Sequence, residues 1–107
     1  MKFHPKFKIH HPSLMCKNLT QRRFDEGLTA YFLKNGNVVS TETCKLTLIN
    51  ENPSHGRIDI SISDGNHPRD FDRIDIVYDT SWRLISLYYT FEQYRQGYGT
   101  IETTIRF

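Results

Sequence analysis

Two stretches of this 107-residue chain carry side chains of the kinds that recognise other molecules. In Glu92-Gln-Tyr-Arg-Gln-Gly-Tyr-Gly99, the residues Tyr94, Arg95 and Tyr98 stand with Gln93, Gln96 and two glycines. That is the composition of a protein-binding loop, with rigid amphipathic aromatics and a guanidinium beside adaptable amides. Aromatics next to an arginine also suit stacking on unpaired bases, so the loop alone does not choose a partner class. The plain structural alternative is a hairpin turn whose tyrosines fold back on a sheet. At the N-terminus, Lys2, His4, Lys6, Lys8 and His10 alternate with Phe3, Phe7 and Ile9, which makes a strand with one cationic face. Alternate strand residues lie about 6.7 Å apart, near twice the roughly 3.4 Å rise per phosphate of one DNA strand, so these lysines could follow a phosphate backbone. Arg22 and Arg23 add charge to the same end.

Other constellations carry less chemistry. No nucleophile elbow, phosphate-binding P-loop, HExxH pair or glycine-rich fingerprint after a strand is present. His4 and His10 share a face, yet six residues of strand hold them about 20 Å apart, too far to ligate one ion. Asp64, Asn66, Asp70 and Asp72 cluster, but Pro68 breaks the EF-hand spacing and no bidentate Glu follows. Cys16 and Cys44 have no CxxC spacing and read as two buried, reduced thiols. The expectation is therefore no catalytic residue, no metal and no cofactor.

Charge is unevenly spread along the chain. Six Lys and Arg and no acid precede Asp25, whereas eight basic and twelve acidic residues follow from there on. A pI near 8.6 is below the value above about 9 usual for nucleic-acid domains. Mean hydropathy is low at -0.57, but 13% aromatic residues supply burial that the aliphatics do not. One domain over residues 1–107, with one core, fits the length. No run approaches the roughly 18 apolar residues of a membrane span, and the N-terminus lacks the apolar segment of a signal peptide, so an intracellular, cytoplasmic protein is expected.

The elements that must position these residues are strands. Arg-Ile-Asp-Ile occurs at Arg57–Ile60 and again at Arg73–Ile76, both with period-two alternation. The turn formers between them predict a hairpin, with Ile62 opposite Ile74, Ile60 opposite Ile76, Ile58 opposite Tyr78 and Arg57 across from Asp79. Asn35-Gly36 predicts a second hairpin joining Leu28–Lys34 to Asn37–Glu42, aligning Leu33 with Val38 and Phe32 with Val39. Helical spacing of Phe24, Leu28, Tyr31 and Phe32 leaves a short helix near residues 20–34 as the alternative, which Gly27 would weaken. Cys44–Leu48 reads as a separate strand, and Trp82–Phe91, apolar on both parities, as a central strand covered on both faces. Pro5 places the N-terminal strand at a sheet edge. A final strand, Thr100–Phe107, follows the Tyr/Arg loop.

The sum is an all-β, single-domain antiparallel sandwich or small barrel of seven to nine strands, with Ile60, Ile76, Leu84 and Leu87 buried together. The preferred function is a non-enzymatic module that binds a protein partner through Gln93, Tyr94, Arg95 and Tyr98. Such a module would serve as an inhibitor, adaptor or assembly subunit, roles that small chains of phages and other mobile elements also fill. The alternative is a nucleic-acid-binding domain using Lys2, Lys6, Lys8, Arg22 and Arg23. A small enzyme such as a ribonuclease with a His and Arg site comes third. No membrane partner is expected, and oligomeric state is not legible.

Overall fold

The computed structural model describes residues 4–11, 28–52, 55–63, 68–78, 82–97 and 100–104. The described chain is nearly all strand: β1 (Lys6–His11), β2 (Leu28–Lys34), β3 (Asn37–Asn52), β4 (His55–Ile62), β5 (Arg73–Tyr78), β6 (Trp82–Leu87) and β7 (Thr100–Thr104), with one short helix, α1 (Phe91–Arg95). Six strands form one curled antiparallel sheet in the order β6-β5-β2-β3-β4-β1, and β7 lies parallel to β1 beyond it. All-β architecture is thus what the alternation predicts. The chain leaves β6 at one end of the sheet and reaches β7 at the other, so β7 neighbours β1 and not β6.

Local signals decide the β2–β3 hairpin. Asn35 and Gly36 both have positive φ, 52° and 82°, as a type I′ turn requires. Leu33 pairs with Val38 as predicted, but a bulge then sets Phe32 opposite Ser40 and leaves Val39 as the extra residue. Residues 28–34 are strand and not helix; residues 20–27 lie outside the described residues. A Cβ at Gly36 would meet nothing within 4 Å, so the cost of Gly36→Ala is conformational alone. We expect about 1–2 kcal/mol of destabilisation in a urea titration, and a neutral result would mean that the turn relaxes to another type.

Four expectations about the placing and extent of strands are overturned, besides the Phe32–Val39 alignment. The repeated tetrapeptides do not pair: β4 lies between β3 and β1, and β5 between β2 and β6. Ile60 therefore faces Leu46 and Phe7, and Ile76 faces Ala30 and Ile85. The cause is the connection between the two strands, which is tied to the β2–β3 turn and so does not close a hairpin. Phe71 is buried, the Asp72 amide donates to the Leu33 carbonyl at 2.9 Å, Asp72 Oδ2 accepts from the Asn35 amide at 3.1 Å, and Lys34 pairs with Asp70 at 3.0 Å. Arg57 sits beside His10 and Ile49, and Asp79 lies outside the described residues.

Second, β1 is interior, paired on both sides. Pro5 precedes its ladder, so the missing donor costs nothing, and the Pro5 carbonyl accepts from the Ile62 amide at 3.0 Å. Third, the Trp82–Phe91 stretch is not a central strand. β6 pairs only with β5 among the described residues and ends at Leu87; Tyr88 and Tyr89 belong to the turn into α1, and Phe91 to α1 itself. Fourth, Asn37–Glu42 and Cys44–Leu48 are one 16-residue strand. Its first half pairs with β2 and its second half with β4, so β3 carries the sheet around its curl. Nothing between Ser40 and Cys44 is a turn former, which is why the strand continues.

The inner faces of the two halves share one core. Phe7, Ile9, Leu46, Ile58, Ile60 and Ile62 come from one half; Leu28, Ala30, Phe32, Ile74, Ile76 and Leu87 come from the other. Leu84, expected in the core, is only half-buried against it. Aromatic rings bridge the halves: Phe7 meets Tyr89 edge-on at 5.2 Å, Tyr89 lies 6.5 Å from Phe71, and Phe71 meets Phe32 edge-on at 4.9 Å.

Candidate functional site

Because Phe7, Ile9, Ile58, Ile60, Ile62 and Leu46 turn inward, the intervening residues of β1, β4 and β3 make an outer face. Register arranges that face in rows. Lys6 sits beside Ser61 and Ser61 beside Lys45; Lys8 beside Asp59 and Asp59 beside Thr47; His10 beside Arg57 and Arg57 beside Ile49. Lys6, Lys8 and Lys45 are all exposed. Strand spacing puts Lys6 and Lys8 about 7 Å apart along β1, and Lys45 two interstrand steps of about 4.8 Å from Lys6.

The face's own acid does not cancel these cations. Asp59 is held by Arg57, Nε to Oδ1 at 2.7 Å and Nη2 to Oδ2 at 3.2 Å, so that pair is locally neutral. Among the described residues no ion pair involves Lys6, Lys8 or Lys45. On the far side, Glu102 of β7 occupies the position in register with Lys8. The lysine ladder read from the sequence is therefore present at Lys6 and Lys8. Lys2, Arg22 and Arg23 lie outside the described residues. Lys45 and Arg57 are the additions that sequence reasoning missed. Outward alternation of Lys45 along β3 was legible, but its place two strands from Lys6 depends on pairing.

At the start of β1 the face ends in a cleft. His4 Nε2 lies 2.6 Å from Ser61 Oγ, and His4, Leu28, Thr43, Cys44, Lys45, Ser61 and Ser63 line the space. Cys44 is a free thiol whose pKa burial pushes up to about 12, so it is protonated at neutral pH and a poor nucleophile.

The Tyr/Arg stretch is partly helical, where the sequence predicts a loop. Thr90 caps α1: its hydroxyl accepts from the Gln93 amide at 3.2 Å while Gln93 Oε1 accepts from the Thr90 amide at 2.8 Å, a reciprocal capping box. Gln93 is thereby engaged within the fold. Tyr94 is half-buried, packed against the core 6.2 Å from Phe91, and Arg95 is exposed with its guanidinium on Glu92 at 2.7 and 2.9 Å. That pair holds the Glu92 carboxyl below its ordinary pKa. Tyr98 lies outside the described residues. The sequence reading missed Tyr88, 76% exposed just before the cap, because it assigned that residue to a strand covered on both faces. Replacing Thr90 by Ala removes one half of the box, and we expect a loss of about 1 kcal/mol by chemical denaturation; no loss would mean that packing of Phe91 and Tyr94 alone fixes the helix.

Among the described residues no group of three or more His, Cys, Asp or Glu is placed to hold a metal ion. Of the acidic turn residues, Asp70 and Asp72 are committed to Lys34 and to the Asn35 amide, while Asp64 and Asn66 lie outside the described residues. Nor is any helix there long and apolar enough to cross a membrane. No family model, no curated protein and no solved structure matches this chain.

Proposed function

We propose that this chain is a non-enzymatic binding module that takes a nucleic-acid phosphate backbone on the outer face of β1, β4 and β3. Lys6, Lys8 and Lys45 are the contacting cations. The observation that carries the reading is their convergence: three exposed ammonium groups from two strands on one face, with the intervening Asp59 neutralised by Arg57. Among the described residues of these rows no Phe, Tyr or Trp stands beside the lysines and the one ring is the His10 imidazole next to Arg57, so the face suits phosphates better than stacked bases, and little sequence preference is expected. Fluorescence anisotropy with a labelled oligonucleotide, single- and double-stranded, tests it. Binding that weakens with salt and with Lys→Gln changes supports the proposal; no binding at 50 mM salt sinks it.

A protein partner held at α1 is the second reading, as an inhibitor, adaptor or assembly subunit. Exposure of Tyr88 favours it, since a large aromatic left in water beside a capped, rigid helix is the usual form of an interface anchor. Tyr94 and Arg95, with Tyr98 and Gln93 nearby in sequence, would form its surround. A photo-crosslinking residue at position 88 should capture a defined protein from nuclease-treated lysate, and Arg95→Ala should abolish that capture. Capture that persists unchanged with Arg95→Ala removes this reading. For the scaffold we read the curled sheet as sandwich-like, its two halves facing each other across the shared core.

A further inference from the structure

We infer that the cleft beside His4 binds a phosphate monoester, which would be the terminal phosphate of a strand lying on the lysine face or the phosphate of a free small molecule. The first of these sources rests on the backbone-binding reading; the cleft chemistry itself does not.

The cleft opens where β3 passes from pairing with β2 to pairing with β4. Leu28, one residue before the Thr29–Thr43 pair, lines it together with Cys44 of β3, with Ser61 near the end of β4 and with Ser63 just beyond that strand. Its volume is about 580 Å³, within the roughly 300–1,000 Å³ range of small-ligand sites. The lining is what selects the ligand. It contains one fixed cation, Lys45, one imidazole, His4, and three hydroxyls, from Thr43, Ser61 and Ser63, and no carboxylate among the described residues. Among the described residues, Glu42 is hydrogen-bonded to serine hydroxyls, accepting from Ser40 at 3.3 Å and from the cleft residue Ser63 at 3.5 Å. The 2.6 Å bond between His4 Nε2 and Ser61 Oγ holds both side chains in place before any ligand arrives.

The one cation, the imidazole and the hydroxyls of this lining suit an anion, and a monoester fits better than an internal diester. A monoester phosphate carries a charge of about -1.5 to -2 and three strong acceptor oxygens at neutral pH, enough to engage an ammonium, an imidazole and several hydroxyls at once. An internal diester has a single charge and would use only part of the set. Leu28 and Cys44, whose thiol is neutral, offer an apolar wall for whatever the phosphate is attached to. Lys6, in the row of Ser61 and Lys45, makes the cleft continuous with the cationic face.

The test titrates the intact protein by NMR with adenosine 5′-monophosphate. In parallel, anisotropy compares a single strand bearing a 5′-phosphate with the same strand bearing a 5′-hydroxyl. Saturable shifts centred on the amides of Thr43, Lys45 and Ser61 are expected with the mononucleotide. Lys45→Gln or Ser61→Ala should weaken its binding about tenfold or more, while Lys8→Gln, outside the cleft, leaves it unchanged. Tighter binding of the phosphorylated strand, by about tenfold, identifies a strand terminus as the source; equal binding of both strands alongside saturable mononucleotide shifts identifies a free monoester. Shifts that rise linearly without saturation, or a Lys8→Gln loss equal to that of Lys45→Gln, overturn the proposal. That failure is separable from failure of the backbone reading, in which neither strand binds although the mononucleotide saturates the cleft.

Discussion

Replacing Tyr89 by Ala should destabilise the fold by about 3–5 kcal/mol, whereas the same change at Tyr88, one residue away, should stay within about 0.5 kcal/mol. Tyr89 is 1% exposed and Tyr88 is 76% exposed, so identical deletions sample opposite environments. Tyr89 contacts Phe7 on β1 and, through Phe71, reaches Phe32 on β2, and so joins the two halves of the sheet. Its removal leaves a cavity where the halves meet and deletes both the edge-on contact with Phe7 and the tilted contact with Phe71. Burial also raises the pKa of its phenol above the ordinary value, so the hydroxyl is protonated throughout the neutral range. At about 4 °C or more per kcal/mol for a domain of this size, thermal unfolding should show a fall of roughly 12 °C or more for Tyr89→Ala. Equal effects at the two positions would mean that the chain does not turn at Leu87 and that Tyr89 does not bridge the halves.

The contrast at Tyr88 and Tyr89 also marks the limit of what the sequence discloses. Strands were legible wherever alternation is strict, as in Phe7-Lys8-Ile9 and Ile58-Asp59-Ile60, because a one-residue shift there would expose a whole apolar face. The β2–β3 hairpin was legible because Asn35-Gly36 fixes both positive φ angles locally. Pairing between distant strands was not. Isoleucines at Ile58, Ile60, Ile74 and Ile76 fit any apolar neighbour equally well, and the decisive contacts, Phe71 in the core and Asp72 on the β2–β3 turn, are long-range. The Trp82–Phe91 run misled for another reason. Its apolar residues divide by position, Trp82–Leu87 in an edge strand and residues 88–91 at the entry of α1, where the Thr90–Gln93 box starts the helix. Of the candidate site, Lys6 and Lys8 could be read from spacing alone, while Lys45 joins them only through β4.

Substituting Lys6, Lys8 and Lys45 together by Gln should remove most of the affinity for nucleic acid. Each phosphate contact contributes about 0.7 units of salt slope on a single strand and 0.9 on a duplex, so three contacts give about 2–3 units. That corresponds to roughly 20–40-fold weaker binding on going from 50 to 200 mM salt. Gln retains most of each side chain's length and removes its charge. All three residues are exposed, so stability should change by less than about 0.5 kcal/mol. Arg57 acts on the same face through Asp59: Arg57→Gln removes the partner held at 2.7 Å and leaves the Asp59 carboxylate uncompensated beside Lys8, so it should weaken binding about as much as a single lysine change.

The most direct measurement is the slope of log affinity against log salt for the unmodified protein and the triple Lys→Gln variant, on one labelled oligonucleotide of fixed length. A phosphate-binding face made of Lys6, Lys8 and Lys45 predicts that the slope becomes shallower by about 2–3 units in the variant, close to one unit per lysine. An unchanged slope, or no binding by the unmodified protein at 50 mM salt, would contradict the assignment of this face.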